Sequence, residues 1–218
     1  VTPLVNGEFY HLYNRGVDRR IVFQDKKDYL RFTTLLYLCN NNKHFSFKDF
    51  AKKELDEFLL NSNKVASPLV AIGAYCLMPN HFHILVKEIV DGGISKFMQK
   101  LSTAYTMYFN IKNKRTGSLF QGRFKAEHLD SDPYLKYIFS YIHLNPIKLI
   151  DKNWNENGIR DKRGTYEFLK SYKYSSYLYY TGEKSAISKI ITVENFPKYF
   201  PNITSFKKCI NEWLTYNI

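Results

Sequence analysis

The sequence is poor in cysteine and has no long apolar run. Its three cysteines, Cys39, Cys76 and Cys209, are too few and too scattered for a disulfide framework or a zinc knuckle, so we expect reduced thiols with a structural role. No stretch reaches the roughly 18 uninterrupted apolar residues of a membrane-spanning helix, and the first residues lack the basic-then-apolar pattern of a signal peptide. These absences argue against a secreted disulfide scaffold and a membrane protein, and they predict a soluble cytoplasmic protein.

Acidic residues are scarce relative to basic ones. The chain has 32 Lys and Arg against 20 Asp and Glu, a formal charge of +12 that attracts polyanions such as nucleic acids. The segment 111–125 contains no acid and holds five basic residues, Lys112, Lys114, Arg115, Arg123 and Lys125. Because it also holds Phe120, it suits phosphate contact and base stacking by a single-strand binder. A solvated loop without a ligand is the alternative interpretation.

Hydrophobic residues make up 44% of the chain, enough for one well-packed core. Local patterns predict four strands, at 8–13, 69–77, 81–87 and 124–129. Amphipathic periodicity predicts helices at about 25–40, from 94 onward and at 132–145. The resulting order of elements is typical of an α+β, ferredoxin-like fold, in which a split βαβ arrangement forms an antiparallel sheet with helices.

Two further segments complete the predicted organisation. We predict that residues 1–146 form the core and that residues 44–66 are a helical insertion within it. Residues 147–218 are predicted to form a C-terminal extension packed on that core. The extension holds an irregular tyrosine cluster, Tyr172, Tyr174, Tyr177, Tyr179 and Tyr180. Its spacing favours packing of the extension on the core, with DNA stacking as the alternative.

A histidine pair begins the third predicted strand. Alternate side chains of a strand share a face, so His81 and His83 point to one side while Phe82, Ile84 and Val86 point to the core. Two imidazoles about 7 Å apart along a strand can bind one cation if a third ligand comes from elsewhere. Two ordinary hydrogen-bonded histidines are the alternative. With an oxygen ligand and no cysteine close to them, they favour Mg²⁺ or Mn²⁺ over structural zinc.

The helix predicted at 132–145 has three faces when its residues are placed at about 100° each. The apolar face is Leu135, Ile138, Phe139 and Ile142. A polar face expected to meet solvent is Lys136, Ser140 and His143. The third face is Tyr134, Tyr137, Tyr141 and Asn145. Because each tyrosine hydroxyl needs a partner or water, this face predicts the wall of a hydrated site, with amphipathic packing as the alternative.

Tyr141 and Asn145 lie one helical turn apart, so one can attack a phosphate while the other binds the metal that holds it. Pro146 ends the helix beside Asn145. A tyrosine, with its ordinary pKa near 10, is a poor nucleophile at neutral pH, and a nearby cation would offset that weakness. Tyr105 and Tyr108, in contrast, fall on the apolar stripe of the preceding helix and are expected in the core.

Five segments in order carry a family resemblance: YHLYNRG (10–16), LMPNHFHILV (77–86), GSLFQGRFK (117–125), YIHLNP (141–146) and SSYLYYTG (175–182). Over roughly residues 9–182, the chain resembles the REP-associated tyrosine transposases and their insertion-sequence relatives, the single-tyrosine HUH enzymes. The resemblance implies that His81 and His83 are metal ligands, that Tyr141 is the nucleophile, and that Asn145 completes the metal site where some relatives carry glutamine.

The resemblance also implies a reaction. Tyr141 would attack a single-stranded phosphodiester to give a 5′-phosphotyrosine and a free 3′-hydroxyl, and a second strand's 3′-hydroxyl would reverse the step. No nucleotide cofactor is needed, because the covalent link keeps the bond energy. The expected partner is single-stranded or hairpin DNA, since relatives recognise imperfect hairpins. A monomer is favoured over a homodimer, as for the REP-associated relatives; insertion-sequence relatives share the tyrosine helix between two chains.

This chain departs from the larger HUH group of relaxases and replication initiators, which carry a third histidine and often a second tyrosine. Glu127 and His128 on the fourth strand are accessory candidates, with surface contacts as the alternative. Arg15, Arg123 and Lys125 are candidate phosphate binders, with a solvated surface role as the alternative for each. Two other functions stay open: a domesticated, catalytically silent protein that binds DNA hairpins, and an RNA-binding ferredoxin-like module, although the aromatic sheet platform of such modules is not evident.

Overall fold

The computed structural model describes residues 3–42, 65–183 and 186–215. The strands are β1 (Phe9–Arg15), β2 (Val70–Met78), β3 (His81–Glu88) and β4 (Lys125–His128). The α-helices are α1 (Lys26–Cys39), α2 (Gly93–Lys112), α3 (Asp132–Leu144), α4 (Trp154–Asn157), α5 (Lys162–Ser171), α6 (Tyr177–Tyr180) and α7 (Ile203–Thr215). Short 3₁₀ helices include Val17–Arg19 and Asn145–Leu149.

The helical insertion predicted at 44–66 lies outside the described residues, except for Val65 and Ala66, which belong to no helix. Among the helices that the structure describes, none combines the length and the apolar character needed to cross a membrane.

The four strands form one antiparallel sheet in the order β2-β3-β1-β4. Because β3 lies between β1 and β2 and is antiparallel to both, the β1-α1-β2 unit is split by a third strand. This is the ferredoxin-like arrangement that the order of elements predicts, and the strand ends agree with the predicted ones to within two residues. The predicted fold class is confirmed.

One face of the sheet is covered by α1 and α2. Phe82, Ile84 and Val86, the residues predicted to face the core, are fully buried there with Phe32 of α1 and Leu101 of α2. Asp25 caps the start of α1 by accepting hydrogen bonds from the backbone amides of the first helical turn.

The two tyrosines expected in the core take different positions on α2. Tyr105 is fully buried and donates to the Val22 carbonyl over 2.6 Å. Tyr108 is half-buried, packs against the same core and donates to Asp28 Oδ1 over 2.9 Å. Both hydroxyls therefore have structural partners, as expected of core residues.

The opposite face of the sheet is covered by α3 and by residues after 147. The predicted apolar face of α3 shares a second core with the sheet and with α7; its members include Ala74, Leu85, Ile138, Phe139, Ile142, Phe206 and Ile210. Pro133 stands in the first turn of α3, and Ser131 is the N-cap. The sheet therefore lies between two helical layers.

The expectation that Ser140 and His143 meet solvent is wrong. Both are buried, since α7 and the segment before α6 pack over that side of α3. His143 Nε2 lies 2.8 Å from Ser176 Oγ, and Ser140 Oγ lies 3.5 Å from Cys209 Sγ. Lys136 is exposed as expected. Helical periodicity separates polar from apolar faces, but it does not reveal that a distant segment will cover a polar one.

The outer edge of β2 is covered by the segment around residues 174–176. Leu77 donates its backbone amide to the Tyr174 carbonyl, and Ser176 donates its amide to the Tyr75 carbonyl, both over 2.9 Å. Such pairing protects an edge strand from other chains. Tyr172 donates to the Leu77 carbonyl over 2.6 Å, so the tyrosine cluster of the extension contributes to this packing.

Burial of His143 makes the stability of the fold depend on pH. Burial lowers the pKa of His143 to about 3, against about 6.5 in an unfolded chain. Between these values the unfolded chain binds one proton more than the folded chain, so the free energy of unfolding falls as the pH falls below about 6.5.

We predict that His143→Gln and His143→Phe, which do not titrate, each remove roughly 1 kcal/mol per pH unit from this slope between about pH 6 and pH 5. Urea denaturation measures the slope. Gln retains a polar partner for Ser176 and Phe does not, so an effect common to both variants reports on titration. Slopes equal to that of the wild type in both variants would contradict the assignment.

Candidate active site

A cleft of about 520 Å³ opens where β1, β3 and α3 meet. It is lined by Tyr13, Asn14, Arg15, Asn80, His81, His83, Gln121, Lys125 and Tyr141. The structure therefore brings the predicted nucleophile and both predicted imidazole ligands into one cleft. Arg15 and Lys125, two of the candidate phosphate binders, line the same cleft.

The strand register explains why these side chains meet. His83 lies opposite Tyr13 of β1, Tyr13 lies opposite Lys125 of β4, and His81 lies opposite Arg15. Residues directly opposite in an antiparallel pair point to the same face of the sheet. All of these side chains therefore point to the face that α3 covers.

The His81 and His83 rings are nearly perpendicular, with centroids 5.0 Å apart. His81 Nδ1 lies 2.6 Å from Asn80 Oδ1, and Asn80 uses its amide nitrogen to donate to the Arg19 carbonyl. With the amide oxygen directed at His81, Nδ1 donates and Nε2 keeps its lone pair. His83 Nδ1 is likewise occupied, by His11 Nε2 at 2.8 Å, which leaves Nε2 of His83 for another partner.

Both imidazoles are held in the neutral form. Burial, together with the nearby positive charge of Lys148, lowers the pKa of His81 to about 4; the Asn145 amide opposes this shift. Burial lowers the pKa of His83 well below its usual value, and the neighbouring His11 acts in the same direction. Neutral imidazole is the form that binds a metal ion, so these residues need not lose a proton at neutral pH.

Tyr141 lies beside the histidines. Its ring centroid is 5.5 Å from that of His83 in an edge-on arrangement, and Tyr137, one turn earlier, stacks on its other side at 6.0 Å. Lys148 Nζ lies 5.1 Å from the centroid of the Tyr141 ring, a cation–π distance. Of the four residues on the predicted tyrosine face of α3, Tyr141 lines the cleft, whereas Tyr134, Tyr137 and Asn145 are not among its lining residues.

Lys148 is a site residue that the sequence reasoning missed. It follows Tyr141 by seven residues, a spacing that returns to the same side of a helix after two turns. The prediction stopped at Pro146, whereas the chain continues as the 3₁₀ helix Asn145–Leu149 and brings the lysine beside the Tyr141 ring. Extending the helical spacing past the proline would have found it.

Asn145 is the first residue of this 3₁₀ helix and is 1% exposed. Neither polar atom of its side chain completes a hydrogen bond, although the amide is close enough to influence His81. Leaving such a group buried and unpaired costs about 1–3 kcal/mol, which keeps Asn145 a candidate ligand. Two neutral imidazoles and an amide oxygen fit a divalent cation such as Mg²⁺ or Mn²⁺.

The remaining acidic, histidine and cysteine side chains do not offer a competing site. Within residues 3–42, 65–183 and 186–215, no three of them are grouped so as to hold a metal ion. Cys76, however, is directly opposite His83 on β2, so the assumption that no cysteine lies close to the pair is wrong. Burial raises the pKa of the Cys76 thiol and keeps it protonated, which makes it a poor metal ligand.

The basic segment divides into residues that face the cleft side and residues held elsewhere. Arg123 lines a groove with Ser102 and Thr106 of α2, next to the cleft. Lys114 is exposed. Lys112 pairs with Asp25 and Asp28, at 2.9 and 2.5 Å.

Arg115 and the two accessory candidates also have identified partners. Arg115 donates to Asn110 Oδ1 and to the Ser118 carbonyl, bonds that stabilise the loop after α2. His128 lies 2.9 Å from Glu8, away from the cleft lining. Glu127 accepts a hydrogen bond from Tyr134, and its other oxygen lies 3.5 Å from His11 Nδ1.

Comparisons with known proteins give the following relationships. The model of a family described as "Transposase IS200 like" matches residues 28–145, more than half of the chain. No curated protein matches. Among solved structures, the chain is similar to a REP-associated tyrosine transposase bound to a REP hairpin, with 13% identity and a TM-score of 0.49 over 81% of this chain and 80% of that chain.

Two lysines of the basic segment, Lys112 and Lys114, should differ in how much their loss of charge changes the free energy of unfolding. Asp28 is fully buried, so Lys112→Met removes the cation from a carboxylate that water does not reach. We predict that this variant lowers the free energy of unfolding by about 1–3 kcal/mol. The matched control Lys114→Met, at an exposed position, should change it by less than about 0.5 kcal/mol. Chemical denaturation measures both, and equal stability of the two variants would contradict the structural role of Lys112.

Proposed function

The chain belongs to the IS200-like transposase family, and we propose that it cleaves and rejoins single-stranded DNA through a covalent bond to Tyr141. The observation that supports this most strongly is the position of the Tyr141 ring, 5.5 Å from His83, in a cleft where two neutral imidazoles keep a free Nε2. A nucleophile, a metal-binding pair and basic residues together are the parts that phosphodiester transfer requires.

The proposed reaction is two transesterifications. The Tyr141 hydroxyl oxygen attacks the phosphorus, the bond from phosphorus to the 3′ oxygen breaks, and the proton lost by tyrosine is balanced by one gained at the leaving 3′-hydroxyl. The product is a 5′-phosphotyrosine. A 3′-hydroxyl of a second strand then attacks this phosphorus and releases Tyr141. Each step exchanges one ester for another, so no nucleotide cofactor is consumed.

Side chains of the cleft supply the remaining requirements. Lys148 places a positive charge beside the Tyr141 ring, with Nζ 5.1 Å from the ring centroid. Arg15 and Lys125 are positioned in the cleft to bind phosphate oxygens of the strand. Held by His81, His83 and Asn145, a divalent cation such as Mg²⁺ or Mn²⁺ would polarise the phosphate and stabilise the charge that develops on its oxygens.

The RNA-binding alternative is less well supported. Modules of this fold stack unpaired bases on aromatic side chains of an exposed sheet face. Here the β2 and β3 side of one face is covered by α3 and α7, and the other face is covered by α1 and α2. The catalytically silent DNA-hairpin binder remains the second candidate, because Arg15 and Lys125 would serve it equally well.

Tyr141→Phe tests the nucleophile. The probes are end-labelled single-stranded oligonucleotides from both strands of the DNA that flanks the gene, incubated with the protein and Mg²⁺ or Mn²⁺. We predict that the wild type forms a covalent adduct that survives a denaturing gel, and that Tyr141→Phe forms none because it lacks the attacking oxygen.

Tyr137→Phe is the matched control, since Tyr137 lies one turn away on the same face and is more exposed. It should retain the adduct. An adduct in Tyr141→Phe would overturn the proposed nucleophile. Salt-dependent binding of the wild type without an adduct, with any probe or metal, would favour the silent binding protein instead.

The same geometry leads us to propose that the active unit is a monomer. Tyr141 and both histidines line one cleft of a single chain, so no second chain is needed to supply the tyrosine. If two chains shared the tyrosine helix, Tyr141 of one chain would instead act beside the histidines of the other.

Mixing two inactive variants separates these arrangements. Tyr141→Phe and His83→Ala lack different parts of the site, so a shared site would regain activity in the mixture whereas a site within one chain would not. We predict no adduct from the mixture under conditions where the wild type gives one. Recovery of a substantial fraction of wild-type adduct would show that the tyrosine acts between chains.

A further inference from the structure

His11 of β1 is a buried histidine that the proposed reaction does not use. It is 4% exposed and points to the same face of the sheet as His83. Its Nε2 lies 2.8 Å from His83 Nδ1, and the two rings are stacked with centroids 5.0 Å apart. A hydrogen bond of this length between two ring nitrogens requires one of them to carry the proton and the other to accept it.

The far side of His11 decides which nitrogen carries the proton. Nδ1 of His11 completes no hydrogen bond, and the carboxylate oxygen Oε2 of Glu127 lies 3.5 Å away. A carboxylate only accepts, so it favours a proton on His11 Nδ1. His11 is buried, and a neutral imidazole that carries its proton on Nδ1 has a lone pair on Nε2, so Nε2 of His11 is the acceptor. The proton of the shared hydrogen bond consequently belongs to His83 Nδ1.

The position of Glu127 is fixed by the pairing of β1 with β4 and by a hydrogen bond from α3. Glu127 lies directly opposite His11 in the pairing of β1 with β4. Tyr134, in the first turn of α3, donates its hydroxyl to Oε1 of Glu127, which leaves Oε2 directed towards His11. The row from Tyr134 through Glu127 and His11 to His83 thus connects the start of α3 to the cleft.

We propose that Glu127 and His11 are positioning residues, which fix the tautomer and the orientation of His83 so that its Nε2 lone pair faces the cleft. This inference rests on the proposed function, in which His83 is a metal ligand. Ligand histidines commonly donate their second ring nitrogen to an acceptor, and loss of that acceptor typically weakens metal binding by 10- to 100-fold. For His81, the acceptor is the side-chain oxygen of Asn80. For His83, the acceptor is a second imidazole, that of His11.

The first test determines which tautomer His83 adopts in the metal-free protein. Long-range proton–nitrogen NMR of histidine-labelled protein distinguishes a protonated from an unprotonated ring nitrogen, and the signals of His83 are those missing in His83→Ala. We expect the proton on Nδ1 in the wild type. In His11→Phe, which has no acceptor, we expect a substantial population with the proton on Nε2. A wild-type His83 protonated on Nε2 would overturn the proposal.

The second test is the affinity for Mn²⁺ alone, measured by calorimetry. We expect His11→Phe to bind about 10- to 100-fold more weakly than the wild type. His11→Gln, whose amide oxygen can accept from His83 Nδ1, should recover most of that loss and thereby show that the effect is not simple misfolding. His128→Phe, a histidine replaced on β4 away from the cleft lining, is the matched control and should bind like the wild type.

His83→Ala separates failure of this inference from failure of the proposed metal site. If His83→Ala abolishes Mn²⁺ binding while His11→Phe leaves the affinity unchanged, His83 is a ligand that needs no positioning, and only this inference is wrong. If His83→Ala also binds Mn²⁺ as the wild type does, the metal site itself is misassigned and both proposals are overturned.

Discussion

The apolar face of α3 packs against the β2 and β3 half of the sheet, where Ile138, Phe139 and Ile142 share one core with Ala74 and Leu85. This packing determines where the next face of the helix points. Tyr141 lies beside the apolar face of α3 and is only partly buried at the margin of the core. It therefore faces the polar side chains of the sheet, including His81 and His83. If α3 were displaced by one turn, about 5.4 Å, the tyrosine would no longer lie beside His83.

The sheet beneath α3 places polar groups where a core would ordinarily be apolar, and each requires a partner. His81 and His83 both have Nδ1 bound to a neighbouring group, Asn80 in one case and His11 in the other. Consequently both rings keep Nε2 free without leaving a buried donor unpaired. The Asn145 amide is buried without a hydrogen bond, and a bound cation would explain it; His11 Nδ1 also completes none and has the Glu127 carboxylate 3.5 Å away.

Short-range periodicity was sufficient to place the residues that we propose to act directly. Alternation along β3 placed His81 and His83 on one face, and helical spacing placed Tyr141 on the wall of a cleft; both arrangements appear in the structure. The order of elements also predicted the ferredoxin-like sheet correctly. These features depend on residues that are close in sequence or on rules of strand connection.

The features that were missed depend on contacts between distant segments. His11, which was not predicted, and Glu127, which was predicted only as an accessory candidate, approach His83 through the register of three strands. Cys76 becomes a neighbour of His83 only through the β2–β3 pairing. Ser140 and His143 are buried because α7 and the segment before α6 fold back over α3. No spacing rule within one helix or strand contains this information, since register and covering segments are properties of the assembled fold.

The central claim is that α3 presents Tyr141, among the 18 tyrosines of the chain, to a scissile phosphate beside the histidine pair. The most direct measurement is mass spectrometry of the protease-digested protein–DNA adduct. The account predicts a single modified peptide in which the 5′ phosphate of the DNA is esterified to the Tyr141 oxygen. A phosphate esterified to any other residue, or a link through the 3′ end of the DNA, would contradict it.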